Sequence, residues 1–250
     1  MTSSVYLRLA GPLQSWAGES VTGNIVNTGK LPTPSALRGL LAGALGYQRG
    51  QWPQWLENVE FTIRVDRPVQ YTDDFQTINP ISVEEESFLY RIALLHGKRV
   101  SSNRIKSLSF TPGRDRSKPS IVNRTYLADS EFIVRITAEG KTEEIDAALR
   151  SPQFSTYLGR KAFPAVFPFY LGVGDSDEIY KIPTVKRKQR REQRSTMQES
   201  GAEESATVII YQFVDDIPVA PSKTRVPVVQ DRNMWLEKTA ELLKRRKTLI

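Results

Sequence analysis

Cationic side chains are the chemistry this sequence offers most densely. Residues 98–124 place Lys98, Arg99, Arg104, Lys106, Arg114, Arg116, Lys118 and Arg124 against one acid, Asp115. That local excess equals the formal net charge of the whole chain, +7, so the remainder is close to neutral. Cations of this kind neutralise phosphates, and a basic projection on a folded body points to nucleic acid; a solvated loop whose charge serves only solubility is the competing reading. Other chemistry is scarce. There is no cysteine, which excludes disulfides, thiolate metal sites and a Cys nucleophile. His96 is the only histidine, so sites built on two imidazoles, such as H-E-x-x-H, are excluded too. No cofactor and no metal are expected.

The elements that must position these groups can be read from periodicity. Val5, Leu7 and Leu9 alternate with Tyr6 and Arg8, which predicts a half-buried first strand ending at Gly11-Pro12. Thr33-Pro34 opens a helix whose apolar face is Leu37, Leu40, Leu41, Ala44 and Leu45, with Gly46 as its stop. Gly39 and Gly43 are expected to let that helix approach a sheet. Phe61, Ile63 and Val65 form a second strand and Phe132, Val134 and Ile136 a third. Residues 142–150 form a helix, and the aromatic, proline-rich stretch 157–171 includes a strand. This order predicts an α+β fold with a ferredoxin-like or RRM-like body, βαββαβ, spanning residues 1–172. The basic stretch is inserted between its central strands at about 74–128. Residues 173–250 read as a small C-terminal β/α extension. It carries a mobile loop, 186–205, basic then acidic, and a last helix with Trp235, Leu236, Leu242 and Leu243 inward. With 39% hydrophobic and 25% charged residues the chain can bury a core. Residues 1–11 lack the apolar run of a secretory leader, and no stretch nears the ~18 apolar residues of a membrane span, so the expected location is cytoplasmic.

Five blocks resemble one family in order. They are 7–16, LRLAGPLQSW; 29–33, GKLPT, leading into Leu40-Leu41 and Ala44-Leu45-Gly46; 74–77, DFQT; 124–129, RTYLAD, before Phe132; and 157–161, YLGRK, before Pro164. Together they resemble CasD, a subunit of the type I-E CRISPR Cascade complex, over roughly residues 7–172; beyond residue 186 the match is poor. The resemblance implies a non-catalytic RNA-binding subunit of an antiviral ribonucleoprotein. It would hold the 5′ handle of the guide RNA at one end of the complex. A long thumb would pack against the backbone subunit CasC, and the large subunit CasA would sit nearby. Target DNA would be met only through the complex.

Single-stranded RNA is gripped by cations on phosphates, aromatics under splayed bases and polar groups on base edges. Lys30, Thr33 and Ser35 lie at the start of the first helix, where free amides and the helix dipole favour a phosphate; Thr33 can equally serve as a simple cap. Arg38 follows one turn on. Gln14 and Trp16 can read an edge and stack, or Trp16 can cover the core. Tyr157, Arg160 and Lys161 surround Gly159, which permits close backbone approach. Arg124, where the insertion re-enters the body, has the planar fork suited to a phosphate or purine edge. The tip residues Arg99, Arg104, Lys106, Arg114, Arg116 and Lys118 read as an assembly contact. No RNP1 pattern is present, so stacking on the central strands is not indicated. A metal-independent endoribonuclease is the alternative function, with His96, Tyr90 or Lys98 as its reacting groups.

Overall fold

The computed structural model describes residues 3–16, 18, 25–78, 120–186 and 205–243. The expected segment 79–119, which holds the thumb tip, and the greater part of the 186–205 loop lie outside them. Two compact units are present: Met1–Glu19, Asn27–Thr72 and Thr125–Ile250 form the first, and Ser20–Val26 with Asp73–Arg124 the second.

In the first unit, β1 (Ser3–Ala10), β4 (Glu60–Arg67), β7 (Glu131–Thr137) and β8 (Tyr170–Asp175) pair antiparallel in the order β8–β1–β7–β4, and the two strands β4 and β7 are rich in β-branched and aromatic residues. Numbered by appearance, that order is fourth, first, third, second. Helix α1 (Pro34–Leu45) and a short 3-10 turn (Gln54–Asn58) connect the first of these strands to the second, and α2 (Thr142–Arg150) connects the third to the fourth. The fold is mixed α+β. Thr33 caps α1 by accepting from the Ala36 amide at 3.3 Å, and Gly46 ends it in the left-handed region at φ 87°. Leu37, Leu41 and Ala44 are buried against β1 and β7 residues as the heptad-like spacing demands. Gly39 and Gly43 do not bring the helix onto the sheet: a Cβ on Gly39 would meet only the Trp52 ring, and one on Gly43 nothing within 4 Å.

One expectation is corrected here. β1 is not half-buried: Tyr6 and Arg8 are as enclosed as Val5, Leu7 and Leu9. A second layer covers the face away from α1 and α2, built from α3 (Glu178–Lys181) and α4 (Arg232–Leu242). In it Tyr6 and Ile133 pack with Leu171, Ile179, Ile182, Val229, Trp235 and Leu243. The residues beyond 172 add strands to the same sheet. β10 (Ser205–Val214) pairs with β4, Ile209 opposite Val65. β12 (Ser222–Val229) and the two-residue β9 (Thr184–Val185) continue the same eight-stranded sheet, with β11 (Ile217–Pro218) beside β10. β4 has a free edge after pairing with β7, and the alternating Val208 and Ile210 of β10 are buried beside it.

β6 (Ser120–Ala128) is one strand shared by the two units. In the first unit its end pairs with β2 (Leu13–Gln14); in the second its start pairs in parallel with β3 (Ile25–Val26), Val26 opposite Arg124. β5 (Gln70–Ile78) also pairs with β6 and runs from the first unit into the second.

Candidate nucleic-acid interface

The expected site residues divide by what their polar atoms already do. Gln14 and Trp16 are part of the core. Trp16 is 2% exposed and its indole donates to Gln14 Oε1 at 3.0 Å; Gln14 Nε2 donates to the Ser130 carbonyl at 2.7 Å and to that of Leu9 at 3.3 Å. A buried amide must satisfy its donors internally, and this one does. Arg38 is spent as well. It forks onto Asp216 at 2.6 and 2.8 Å and donates to the carbonyls of Leu56 and Glu57, tying α1 to the β10–β11 turn. Thr33 caps, as above, and Ser35 stands exposed beside it.

The 157–161 segment is held rigidly. Leu158 is fully buried; its amide donates to the Phe163 carbonyl at 2.8 Å and its carbonyl accepts from Ser15 N at 3.1 Å. Gly159 adopts φ 82°, and a Cβ there would fall 1.6 Å from the Ser15 oxygen. The close approach that this glycine permits is therefore to the chain's own backbone. The turn so fixed presents Arg160 and Lys161. The Arg160 guanidinium donates to the Tyr126 hydroxyl and lies 5.4 Å from the Tyr126 ring and 5.7 Å from that of Phe163. Those two rings meet edge-to-face at 4.9 Å. Stacking fixes the plane of the fork and leaves other donors with no partner among the described residues. Lys161 is exposed, and Tyr157 is partly exposed beside it. Neither Tyr126 nor Phe163 was marked as a site residue by sequence, although both lie within or beside the quoted blocks. Lys30, exposed before α1, has its ammonium 5.6 Å from the Tyr211 ring on β10. No sequence signal joins residues so far apart.

In the second unit Arg124 stands opposite Val26 in the β3–β6 pair. Its Nε is buried and makes no hydrogen bond among the described residues. An idle donor of this kind is costly unless something supplies an acceptor. Arg99, Arg104, Lys106, Arg114, Arg116 and Lys118 lie outside the described residues, as do His96, Tyr90 and Lys98.

Three arginines that sequence reasoning did not single out, Arg8 and Arg64 buried and Arg232 half-buried, show the opposite condition. Arg64 forks onto Asp66 at 2.7 and 2.8 Å and donates to the carbonyls of Ile179 and Ile182. Arg8 and Arg232 converge on Glu131 at 2.6 and 2.9 Å, both beside the Trp235 ring. Burial raises the Glu131 pKa, but hydrogen bonds and charge from Arg232 and Arg8 outweigh it and hold the carboxyl below the usual range. Among the described residues no group of three or more His, Asp or Glu side chains is disposed to hold a metal, and no helix is long and apolar enough to cross a membrane.

A family model described as CRISPR-associated protein (Cas_Cas5) matches residues 4–233. This chain belongs to that Cas5 family. Within the family it is similar to the CRISPR system Cascade subunit CasD of Escherichia coli (strain K12), 29% identical over 188 residues that cover 72% of this chain and 75% of the relative. A chain of a solved CRISPR RNA-guided surveillance complex superposes with a TM-score of 0.65 at 25% identity, over 97% of this chain and 100% of that one. A crystal structure of a Cas protein matches with a TM-score of 0.50 at 19% identity, over 90% and 95%, a likeness of fold. The Cas5 match reaches past residue 186, further than the sequence blocks alone extended.

Proposed function

We propose that this Cas5 chain is a non-catalytic subunit that holds the 5′ handle of a CRISPR guide RNA and caps one end of a Cascade-type complex of subtype I-E. The observation that carries the reading is the family match over residues 4–233, supported by the CasD relative. On this reading the β8–β1–β7–β4 order with α1 and α2 is an RRM-like body. The segment from about 74 to 128 is its thumb, directed to a CasC-like backbone subunit, with a CasA-like subunit also adjacent. The sheet's second face is closed by α3 and α4, so the RNA is gripped through loops and strand ends, as the missing RNP1 pattern suggests. Arg124, Arg160, Lys161 and Lys30 supply donors for phosphates, with Ser35 and the amides at the start of α1 beside Lys30 in sequence. Tyr157 offers a partly exposed ring for a base.

The test is competition. Guide RNA bearing the 5′ handle should displace a labelled guide from the assembled complex far better than the same RNA with its handle scrambled. Its binding should weaken with salt at a log–log slope of roughly −0.7 per phosphate contact. Equal competition by both RNAs would show a general RNA binder. The endoribonuclease alternative makes a separate demand. Repeat RNA should then be cut in the presence of chelator, and His96→Ala should stop the cutting; intact RNA rules that chemistry out.

A further inference from the structure

The two ends of the eight-stranded sheet are built differently. At one end β12 has only β9 beside it, opposite Val228 and Val229. The rest of that outer edge carries Lys223, Arg225 and Pro227, the residue types that stop a strand from pairing with a further strand. At the other end β8 pairs with β1 alone, and its outer edge has no strand partner among the described residues. β8 reads Tyr-Leu-Gly-Val-Gly-Asp, with neither Lys nor Pro. Its single irregularity, an extra Leu171 between the pairs Tyr6–Gly172 and Leu7–Tyr170, precedes a straight run from Gly172 to Asp175. That run is in register with Ser3–Tyr6 and is unguarded.

Beside this edge lies an open groove of about 1220 Å³, lined by Tyr170 and Val173 of β8, Leu149 of α2, and Phe167 and Phe169 of the segment leading into β8. Phe167 is 78% exposed at its mouth. The groove's lining carries one charge without an ion-pair partner among the described residues, and it is acidic, although the chain carries a net +7. Glu143 on α2 is exposed and has no ion-pair partner among the described residues, and Asp175 stands exposed at the end of β8. Asp146 and Arg150 neutralise each other at 2.8 Å, with the Tyr170 hydroxyl also donating to Asp146.

We propose that the β8 edge and this groove are a docking site for an extended segment of a protein partner, which joins the sheet as a further strand. The outward backbone groups of Gly172–Gly174, which have no strand partner among the described residues, supply the affinity, Phe167, Phe169 and Val173 receive an apolar side chain, and Glu143, with Asp175 at the strand end, selects a lysine or arginine. The groove is independent of the RNA-binding reading and uses none of its residues.

The test uses the full chain and synthetic peptides of about six residues, the length of β8. One alternates Val with Lys, a second alternates Val with Glu, and a third is the Val–Lys peptide N-methylated at alternate amides. Hydrogen exchange reads the β8 amides and fluorescence anisotropy reads binding. The free chain should exchange its outward β8 amides rapidly, and the Val–Lys peptide should protect them. N-methylation should cost more than about tenfold in affinity, and Val–Glu about threefold to tenfold. Glu143→Lys, an exposed change in the first turn of α2 that should lower the melting temperature only slightly, should reverse the charge preference. Slow exchange in the free chain would overturn the proposal. Protection that rises with protein concentration would identify a second copy as the occupant, and protection independent of concentration would identify another segment of this chain. Equal binding of the N-methylated peptide, or no binding, would also overturn it.

Discussion

Arg64 and Arg124 both lie on strands with guanidinium nitrogen enclosed, yet they stand in opposite chemical conditions. Arg64 gives its donors to Asp66 and to the carbonyls of Ile179, Ile182 and Pro183, and in doing so pins the α3 segment across β4. Arg124 has a buried Nε with no acceptor among the described residues. The difference teaches how to sort the cations of a basic protein. Charge alone does not mark a ligand site, because Arg8, Arg38, Arg64 and Arg232 are as basic as any and are committed internally. Arg135 Nε is buried and unbonded too, but its other nitrogens donate to the Ser176 carbonyl and the Thr62 hydroxyl. An idle Nε is therefore a proposed mark only where, as at Arg124, no such commitment accompanies it among the described residues.

The largest effect that can break this contrast is on the committed side. Arg64→Ala leaves Asp66 buried without its counter-ion and three carbonyls short of a donor, so chemical denaturation should show a loss of about 3–5 kcal/mol. A loss under about 1 kcal/mol would mean that the second layer is not held as described. On the idle side the signs should exchange. Arg124→Ala should leave the denaturation midpoint almost unmoved and weaken guide binding by about 1.5–3 kcal/mol, roughly tenfold to 150-fold, the range for a charge-assisted contact. A drop in stability with unchanged affinity would move Arg124 into the structural class. Arg38→Ala should cost only about 0.5–1 kcal/mol of stability, because its Asp216 partner is half exposed and solvent screens the pair, with handle affinity unaltered. Smallest of all, Lys161→Ala should lower the log–log salt slope by about 0.7 with a minor change in affinity at low salt. An unchanged slope would remove Lys161 from the phosphate contacts.

The parts of the fold that rest on local pattern were legible. Thr33, Pro34 and Gly46 bounded α1, the alternation of Phe132, Val134 and Ile136 marked β7, and Trp235 with Leu243 marked the buried side of α4. What escaped was set by pairing over long sequence separations. Alternation in β1 was read as one buried face, because nothing near Tyr6 announces that α3 and α4 cover it. That the residues after 172 add strands to the same sheet went unread, because the pairing of Ile209 with Val65 leaves no local trace. The site followed the same division. Gly159 was rightly singled out for close approach, but sequence cannot say that the approaching atom is the Ser15 oxygen. Gln14 and Trp16 have ligand-like side chains, and only their mutual hydrogen bond discloses that they satisfy each other.

The most direct test of the sorting of cations is photo-crosslinking of a handle-bearing guide RNA to the assembled complex, with the crosslinked peptides of this chain mapped by mass spectrometry. The account predicts crosslinks in the peptides that contain Lys30, Arg124 and Tyr157–Lys161, and none in β1 or β4, where Arg8 and Arg64 are enclosed. Crosslinks concentrated on β1, β4 and β7, with the other three peptides unmarked, would contradict it.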